Sequence, residues 1–295
     1  MEPGGRPARD PLRPPRPASD GRNDPKGPFV SPRADLSVVI LQHGGAAMTR
    51  RAVESFRAAC GPEPEVVVVD NASPVPSDRA GIAGIAGVRS LLLADNLGFG
   101  AGNNRGAAQT SGAILLFLNN DTLTKEDFVT PVLEELRRHP EVGVVGPRID
   151  NPNGSPQLSH GRLPSIAREA VDRAVYRLVD AGGPAGRRIA DRHVRERRGA
   201  GWVTGAALFI RRELFDRVGG FDEGFFLYFE ETDFCFRARE AGHRCWYVPD
   251  ARIVHVGGQS TGVTGKANAE RRRRPEYWFR SRRRYFLKRG GAPYA

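Results

Sequence analysis

Ala113-Ile-Leu-Leu-Phe-Leu-Asn-Asn-Asp121 is an unbroken apolar run that stops at three polar, turn-forming residues. A short run without polar alternation is the pattern of a strand buried on both faces, as in a parallel sheet covered by helices. Leu36-Ser-Val-Val-Ile-Leu41, Glu65-Val-Val-Val-Val-Asp70 and Val88 to Leu93 repeat it upstream, and Val142-Gly-Val-Val145 repeats it downstream. Helical stretches fall between them, at about Thr49 to Ala59, near Gly102–Thr110, and from about Lys125 to Arg138 with Pro140 as a stop. Strands alternating with helices imply right-handed βαβ units, hence an α/β fold with a mostly parallel, Rossmann-like central sheet flanked by helices.

Beyond residue 150 the pattern loosens. Gly, Pro and clustered Arg over 150–200, including Arg187-Arg188, predict a mobile loop. Trp202–Ile210 reads as a strand and Arg212–Val218 as a helix. Glu230 to Ala241 reads as a helix closed by Gly242, and Cys245–Val248 and Ile253–Val256 as two short strands.

The 295 residues carry a formal charge of +11, unevenly placed. Residues 1–34 hold seven basic and four acidic groups, and 266–295 hold eleven and two, so the middle is close to neutral. The first 34 residues have almost no large apolar side chains and are expected to be disordered. Residues 35–265 form the folded domain, and 266–295 a basic tail in which arginines alternate with Tyr277, Trp278, Phe279, Tyr285 and Phe286. That tail predicts an amphipathic helix or helix pair suited to an anionic membrane surface. A nucleic-acid-binding domain would carry its basic stripe on the folded body, so no nucleic-acid partner is expected. Three cysteines are too few for a disulfide scaffold and suit a reduced, intracellular protein. No apolar run reaches the ~18–20 residues of a membrane span, and residues 1–33 lack the apolar core of a secretory signal.

In open α/β sheets ligands bind at the carboxyl ends of the strands. Asp70-Asn71, Asp95-Asn96 and Asn119-Asn120-Asp121 end three successive strands there. Each alone reads equally well as a turn, but all three would line one sheet edge. Glycines 98, 100 and 102 match neither the dinucleotide fingerprint nor the P-loop. They could let a nucleotide approach backbone at a helix start, or they could serve a tight turn. Asp121 could supply the single carboxylate that Mg2+ often takes beside substrate phosphates, or cap the next helix. Phe225-Phe-Leu-Tyr-Phe-Glu-Glu-Thr-Asp233 sets three carboxylates among aromatics, where a raised pKa would suit a general base. Glu230 and Asp233 would share a helix face, with Asp233 and Arg237 paired at i,i+4. The competing reading is a capped helix start. His255, at a strand end, matters only if the fold brings it near Asp121.

Taken together, these motifs resemble family 2 glycosyltransferases of the GT-A fold, within them the bacterial rhamnosyltransferase-like group. The resemblance runs in order over about 35–262, through Ser37-Val-Val-Ile-Leu41, Val69-Asp-Asn-Ala-Ser73, Asp95-Asn-Leu-Gly-Phe-Gly-Ala-Gly-Asn-Asn-Arg-Gly106 and Leu118-Asn-Asn-Asp-Thr122. It continues through Trp202-Val-Thr-Gly-Ala206, Gly219-Gly-Phe-Asp-Glu223, Phe226-Leu-Tyr-Phe-Glu-Glu-Thr-Asp233 and His255-Val-Gly-Gly-Gln-Ser-Thr261. It implies a nucleotide-sugar site in which Asp70 and Asn71 lie by the base and Asp95, Asn96 and the Gly98, Gly100 and Asn103 loop line the pocket, together with Asn120. Trp202 and Gly205 would face the sugar or acceptor. Asp121 and His255 would bind Mg2+ or Mn2+, and Glu231 would be the catalytic base, with Glu230 and Asp233 beside it.

Three departures stand out. The acid pair is Glu230-Glu231 rather than Glu-Asp, the metal motif has one carboxylate, and the first strand ends in Gln42-His43-Gly44 where Thr-Tyr-Asn is common; Gln42 would then take the place by the base. The resemblance implies inverting transfer of a sugar, with L-rhamnose from dTDP-rhamnose as the analogue, from a nucleotide-diphosphate donor to a glycan or polyprenyl-linked acceptor of a cell-surface polysaccharide. The enzyme would be cytoplasmic, docked peripherally on the inner face of the plasma membrane. A sugar nucleotidyltransferase and a non-catalytic protein that retains the fold and the sugar-nucleotide site are the rival readings.

Overall fold

The computed structural model describes residues 33–195, 198–257 and 274–290. All but residues 33–34 of the segment expected to be disordered, the Gly258-to-Thr261 end of the last motif, and the tail before residue 274 and after 290 lie outside them. The first half runs β1 (Leu36–Gln42), α1 (Ala46–Cys60), β2 (Glu65–Asp70), α2 (Pro76–Ala83), β3 (Arg89–Leu92), α3 (Gly98–Ala107) and β4 (Ile114–Asn119). It continues with β5 (Thr122–Leu123), α4 (Val129–Arg138), β6 (Val142–Asp150), β7 (His160–Gly161), α5 (Ile166–Asp180), α6 (Pro184–Arg195) and β8 (Arg198–Ala200). Last come β9 (Trp202–Val203), β10 (Ala207–Arg211), α7 (Arg212–Arg217), α8 (Glu230–Glu240), β11 (Arg244–His255) and α9 (Glu276–Gly290).

The sheet order is β3-β2-β1-β4-β10-β6-β11-β5, with β8 on β11. β1 is parallel to β2 and β4, β2 to β3, and β6 to β11, while β10 runs antiparallel between β4 and β6. Helices cover both faces, which is why the strands show no alternation. Val38, Ile40, Val66, Val68, Leu116 and Leu118 pack with Phe56, Ile82, Phe128 and Val132 on one side. Val39, Val67, Val69, Leu115 and Phe117 pack with Ala107, Leu214, Phe215, Phe234 and Ala238 on the other. Strand order reverses between β1 and β4, the switch point at which open α/β sheets form their crevice. Register aligns Gln42 with Asp70 and Leu41 with Asn119, so the three polar strand ends do meet at one edge.

Four expectations are corrected. Residues 150–200 hold two helices instead of a mobile loop: Gly182 (φ 66°) and Pro184 are the turn and helix start between α5 and α6, and Ala190 and Val194 of α6 are buried. Trp202–Ile210 is broken at Thr204–Ala206. Its first part, β9, pairs with β7 in a separate two-stranded sheet. The two predicted last strands are one, β11, with an irregularity between Val248 and Arg252. Finally, α9 is no free amphipathic tail. Tyr285 and Phe286 are 0% and 1% exposed and form a third apolar cluster with Phe225 and Phe229. Burying side chains of this size contributes roughly 1.5–3 kcal/mol each, enough to hold the helix on the protein.

Candidate active site

The carboxyl ends of β1, β2 and β4 are tied by a buried polar network. The Gln42 amide donates to Asp70 Oδ2 (3.0 Å) and to the Asp78 carbonyl (3.0 Å), while its oxygen accepts from Thr49 Oγ1 (2.6 Å). Thr49 Oγ1 accepts from Asn120 Nδ2 at 3.1 Å, and Ser73 N donates to Asp70 Oδ1 at 3.0 Å. Gln42 and Asp70 are fully buried. They are held by the protein itself and shape the crevice from beneath. A buried polar group keeps its partners because losing one costs about 1–3 kcal/mol.

Asn71 performs a similar task one loop away. Its Nδ2 donates to Asn96 Oδ1 (2.9 Å) and the Gly98 carbonyl (3.1 Å), and its Oδ1 accepts from Leu97 N (2.9 Å). Asn71 therefore locks the 95–98 turn and leaves Asp95 and Asn96 exposed on the edge. Gly98 is left-handed (φ +84°), and a Cβ there would meet the Phe226 carbonyl oxygen at 2.2 Å. Its neighbour Phe99 donates its N–H to that same oxygen at 2.8 Å. The glycine thus serves close docking of the 225–229 turn on α3. Gly100 faces Phe221 and the Glu230 side chain, and buried Asn103 bonds back to the Phe99 carbonyl at 3.0 Å. These three residues pack the wall of the crevice.

Asp121 does not cap α4. That helix begins at Val129, and Asp127 Oδ1 accepts from Val129 N (3.0 Å) and Thr130 N (3.2 Å). Instead Asp121 Oδ1 lies 3.1 Å from His255 Nε2, brought together by the pairing of His255 with Thr122. Gln157 orients the ring. Its amide nitrogen donates to the His255 carbonyl (2.9 Å) and Asn151 Oδ1 (3.0 Å), so its oxygen faces His255 Nδ1 at 3.2 Å and takes that proton. Nε2 then turns a lone pair toward a carboxylate oxygen, with the Asn119 amide 3.4 Å away. A carboxylate oxygen and an imidazole nitrogen this close form a donor pair that a divalent cation could take. The oxygen and imidazole donors suit Mg2+ or Mn2+ with further ligands from a phosphate.

The acids at the start of α8 have three different environments. Glu230 is buried, and burial with the neighbouring Glu231 charge raises its pKa well above the ordinary carboxyl value. Glu231 is partly exposed, and desolvation pushes it up to about 7. Asp233 holds Arg237 Nε on one oxygen (2.7 Å) and Lys288 Nζ on the other (2.7 Å). Asp233, expected beside the base, is thus engaged in ion pairs that tie α8 to Lys288. Glu231 alone combines access with a raised pKa. A Cβ at Gly205 would lie 3.9 Å from the Glu231 Cβ, and the next carbonyl, Ala206, accepts from Asn119 N at 3.0 Å. So Trp202–Gly205, Glu231 and Asn119–Asp121 are neighbours in space.

The turn before α8 carries strain. Tyr228 and Phe229 are both left-handed with φ 72°, a conformation that costs a non-glycine residue about 1–3 kcal/mol and persists where surroundings enforce it. Gln157, Lys288 on Asp233 and this turn were not legible as site features, whereas the Asp233–Arg237 pair was expected and is present. The only sequence signals were the aromatic density before Glu230 and the i,i+4 spacing of Asp233 and Arg237.

Residues 37–219 match the model of "Glycosyl transferase family 2". The N-acetylglucosaminyl-diphospho-decaprenol L-rhamnosyltransferase of Mycobacterium tuberculosis is 29% identical over 238 residues, 77% of this chain and 78% of that one. Among solved structures, GalNAc-T7 with UDP, GalNAc and Mn2+ superposes with a TM-score of 0.56 at 17% identity, over 78% of this chain and 46% of that one. The mannosyltransferase PcManGT from Pyrobaculum calidifontis, in complex with GDP-Man and Mn2+, gives 0.52 at 16%, over 80% and 62%. This chain thus spans about half to two thirds of those two folds. With more than half of its length matched by the family model and the same α/β architecture underneath, the chain belongs to glycosyl transferase family 2.

Proposed function

We propose that this chain is an inverting, metal-dependent glycosyltransferase that moves L-rhamnose from dTDP-L-rhamnose to a polyprenyl-diphosphate-linked sugar during assembly of a cell-surface polysaccharide. The observation that carries the reading is the placement of Glu231, raised to about 7, beside Gly205 and one hydrogen bond from the Asn119–Asp121 edge. The donor sugar and acceptor class rest on the similarity to the M. tuberculosis enzyme, whose name states both. Asp121 and His255 would hold the divalent ion, which when bound offsets charge developing on the diphosphate leaving group.

The chain's own residues do the rest. Glu231 accepts the proton of the acceptor hydroxyl as its oxygen bonds to the anomeric carbon and the bond to the diphosphate breaks on the opposite face. A base with a pKa near the working pH balances availability against basicity. Burial and the Glu231 charge disfavour the ionised form of Glu230, and so a second charge beside the base. Phe99, whose ring would lie 3.2 Å from a Cβ at Gly205, borders the space beside Glu231. Among the described residues no helix is long and apolar enough to cross a membrane. Contact with an anionic inner-membrane surface belongs to the same reading and rests on the outward side of α9, where Phe279 is 49% exposed beside Arg280 and Arg283.

The test is transfer from dTDP-L-rhamnose to a polyprenyl-diphosphate N-acetylglucosamine, with the product's anomeric configuration read by NMR. An inverted rhamnosyl product supports the reading. Retention of configuration, or turnover only with another nucleotide sugar, overturns the mechanism or the donor respectively.

A further inference from the structure

We propose that the C-terminal helix α9 is part of the active site: it clamps the 225–229 turn and thereby positions Glu231, with Ser281, Tyr285 and Lys288 as the positioning residues. The inference rests on Glu231 being the base. It concerns a helix beyond the stretch matched by the family model, which ends at residue 219.

The contacts fall on almost every residue of the turn. Phe225 is fully buried against Tyr285 and Phe286, with Arg284 and Lys288 over its ring at 5.4 and 5.5 Å. The Leu227 carbonyl accepts from Ser281 Oγ at 2.9 Å. Tyr228 stacks on Tyr277 (6.2 Å between centroids, 19° between planes). Phe229 packs on Trp278 at 5.9 Å and on Tyr285 at 5.5 Å. α9 thus holds the rings of both left-handed residues together with that of Phe225. The Phe226 ring also packs on Tyr277, at 5.7 Å between centroids, while its carbonyl takes the Phe99 N–H on the α3 side. The turn is gripped between the nucleotide-side helix α3 and α9.

Charge repeats the arrangement. Lys288 Nζ reaches Asp233 Oδ1 (2.7 Å) on α8 and Asp222 Oδ2 (2.6 Å) before the turn, and Arg284 adds a bond to Asp222 Oδ1 (2.8 Å). One lysine thus joins the entry of the turn to the first coil of the helix that carries Glu231. Releasing any of these contacts lets the turn relax toward ordinary backbone angles, admits water to Glu231 and moves its carboxylate off line. Misplacing a reacting group by about 1 Å costs on the order of 10²-fold in rate. The titratable groups against Glu231 are Glu230 beside it and Cys235 one turn along α8.

The test uses the full chain with Ser281→Ala, Lys288→Met and Lys288→Arg. Lys288→Met and Ser281→Ala should each lower kcat by about tenfold with donor KM within twofold. Both should move the acid limb of the kcat pH profile down from near 7, and Lys288→Arg should restore both readouts. A merely structural helix would lower melting temperature and leave kcat per folded molecule and the acid limb unchanged, and that result overturns the clamp. Equal losses in Lys288→Met and Lys288→Arg overturn the ionic part of it. If wild type itself shows no acid limb near 7, or Glu231→Gln retains turnover, the assignment of the base fails instead, which these variants do not mimic.

Discussion

Replacing Glu231 with Gln should stabilise the protein while disabling it, and the size of the gain should depend on pH. Desolvation moves this carboxyl from 4.5 to about 7 in the folded chain. A change of that size corresponds to about 3 kcal/mol against ionisation, at roughly 1.4 kcal/mol per tenfold. The sign follows from which state holds the proton. The unfolded chain releases it from about pH 4.5 and the folded chain only near 7, so wild type loses stability across that window as pH rises. Above 7 the whole cost is present. Gln does not titrate and keeps the shape. The melting temperature of Glu231→Gln minus wild type should be near zero at pH 4.5, grow through pH 7, and level off at about 6 °C, taking roughly 2 °C per kcal/mol for a chain of this size. Turnover should fall by about 10²–10⁴-fold, the usual worth of a general base. Thermal melts at four pH values, with donor turnover on the same samples, measure both. A difference that is flat with pH, or a less stable variant at pH 8, would refute the buried-carboxylate account of Glu231.

Glu230→Gln should keep activity within about threefold, because burial and the Glu231 charge disfavour an ionised Glu230 and an amide has the shape of the neutral acid; a loss as deep as that of Glu231→Gln would exchange the roles of the two acids. His255→Ala should raise the Mn2+ concentration for half-maximal binding, read by titration calorimetry in the presence of the nucleoside diphosphate, and Gln157→Leu should raise it by about 10–100-fold by freeing the ring. Gly98→Ala should destabilise by more than about 3 kcal/mol in denaturant unfolding, since its methyl group would meet the Phe226 oxygen at 2.2 Å in a left-handed backbone.

The parallel half of the sheet was legible because its strands are apolar on both faces and end in Asp or Asn at nearly equal spacing. Their convergence on one edge followed from that pattern and from the rule for open α/β sheets. The region 150–200 was not legible, since Arg-rich helices with a narrow buried side, as at Ala190 and Val194, resemble a solvated loop. At the site, Asp121, Glu231 and His255 could be nominated from residue type and order. The division of labour among the acids could not, because it depends on burial of Glu230 and on Lys288, which lies 55 residues beyond Asp233. Polar strand-end residues also proved ambiguous from sequence. Gln42, Asp70 and Asn71 build the crevice through internal hydrogen bonds, whereas Asp95 and Asn96 remain exposed on it.

The most direct test of the central claim is release of nucleoside diphosphate from a panel of UDP-, dTDP- and GDP-sugars, with and without Mg2+ or Mn2+, by wild type, Asp121→Ala and Glu231→Gln. The account predicts selection of one donor, dTDP-L-rhamnose, with metal-dependent turnover by wild type, weakened donor binding in Asp121→Ala, and donor binding without turnover in Glu231→Gln. A folded wild-type protein that binds none of the donors would contradict it and identify a non-catalytic member of the family.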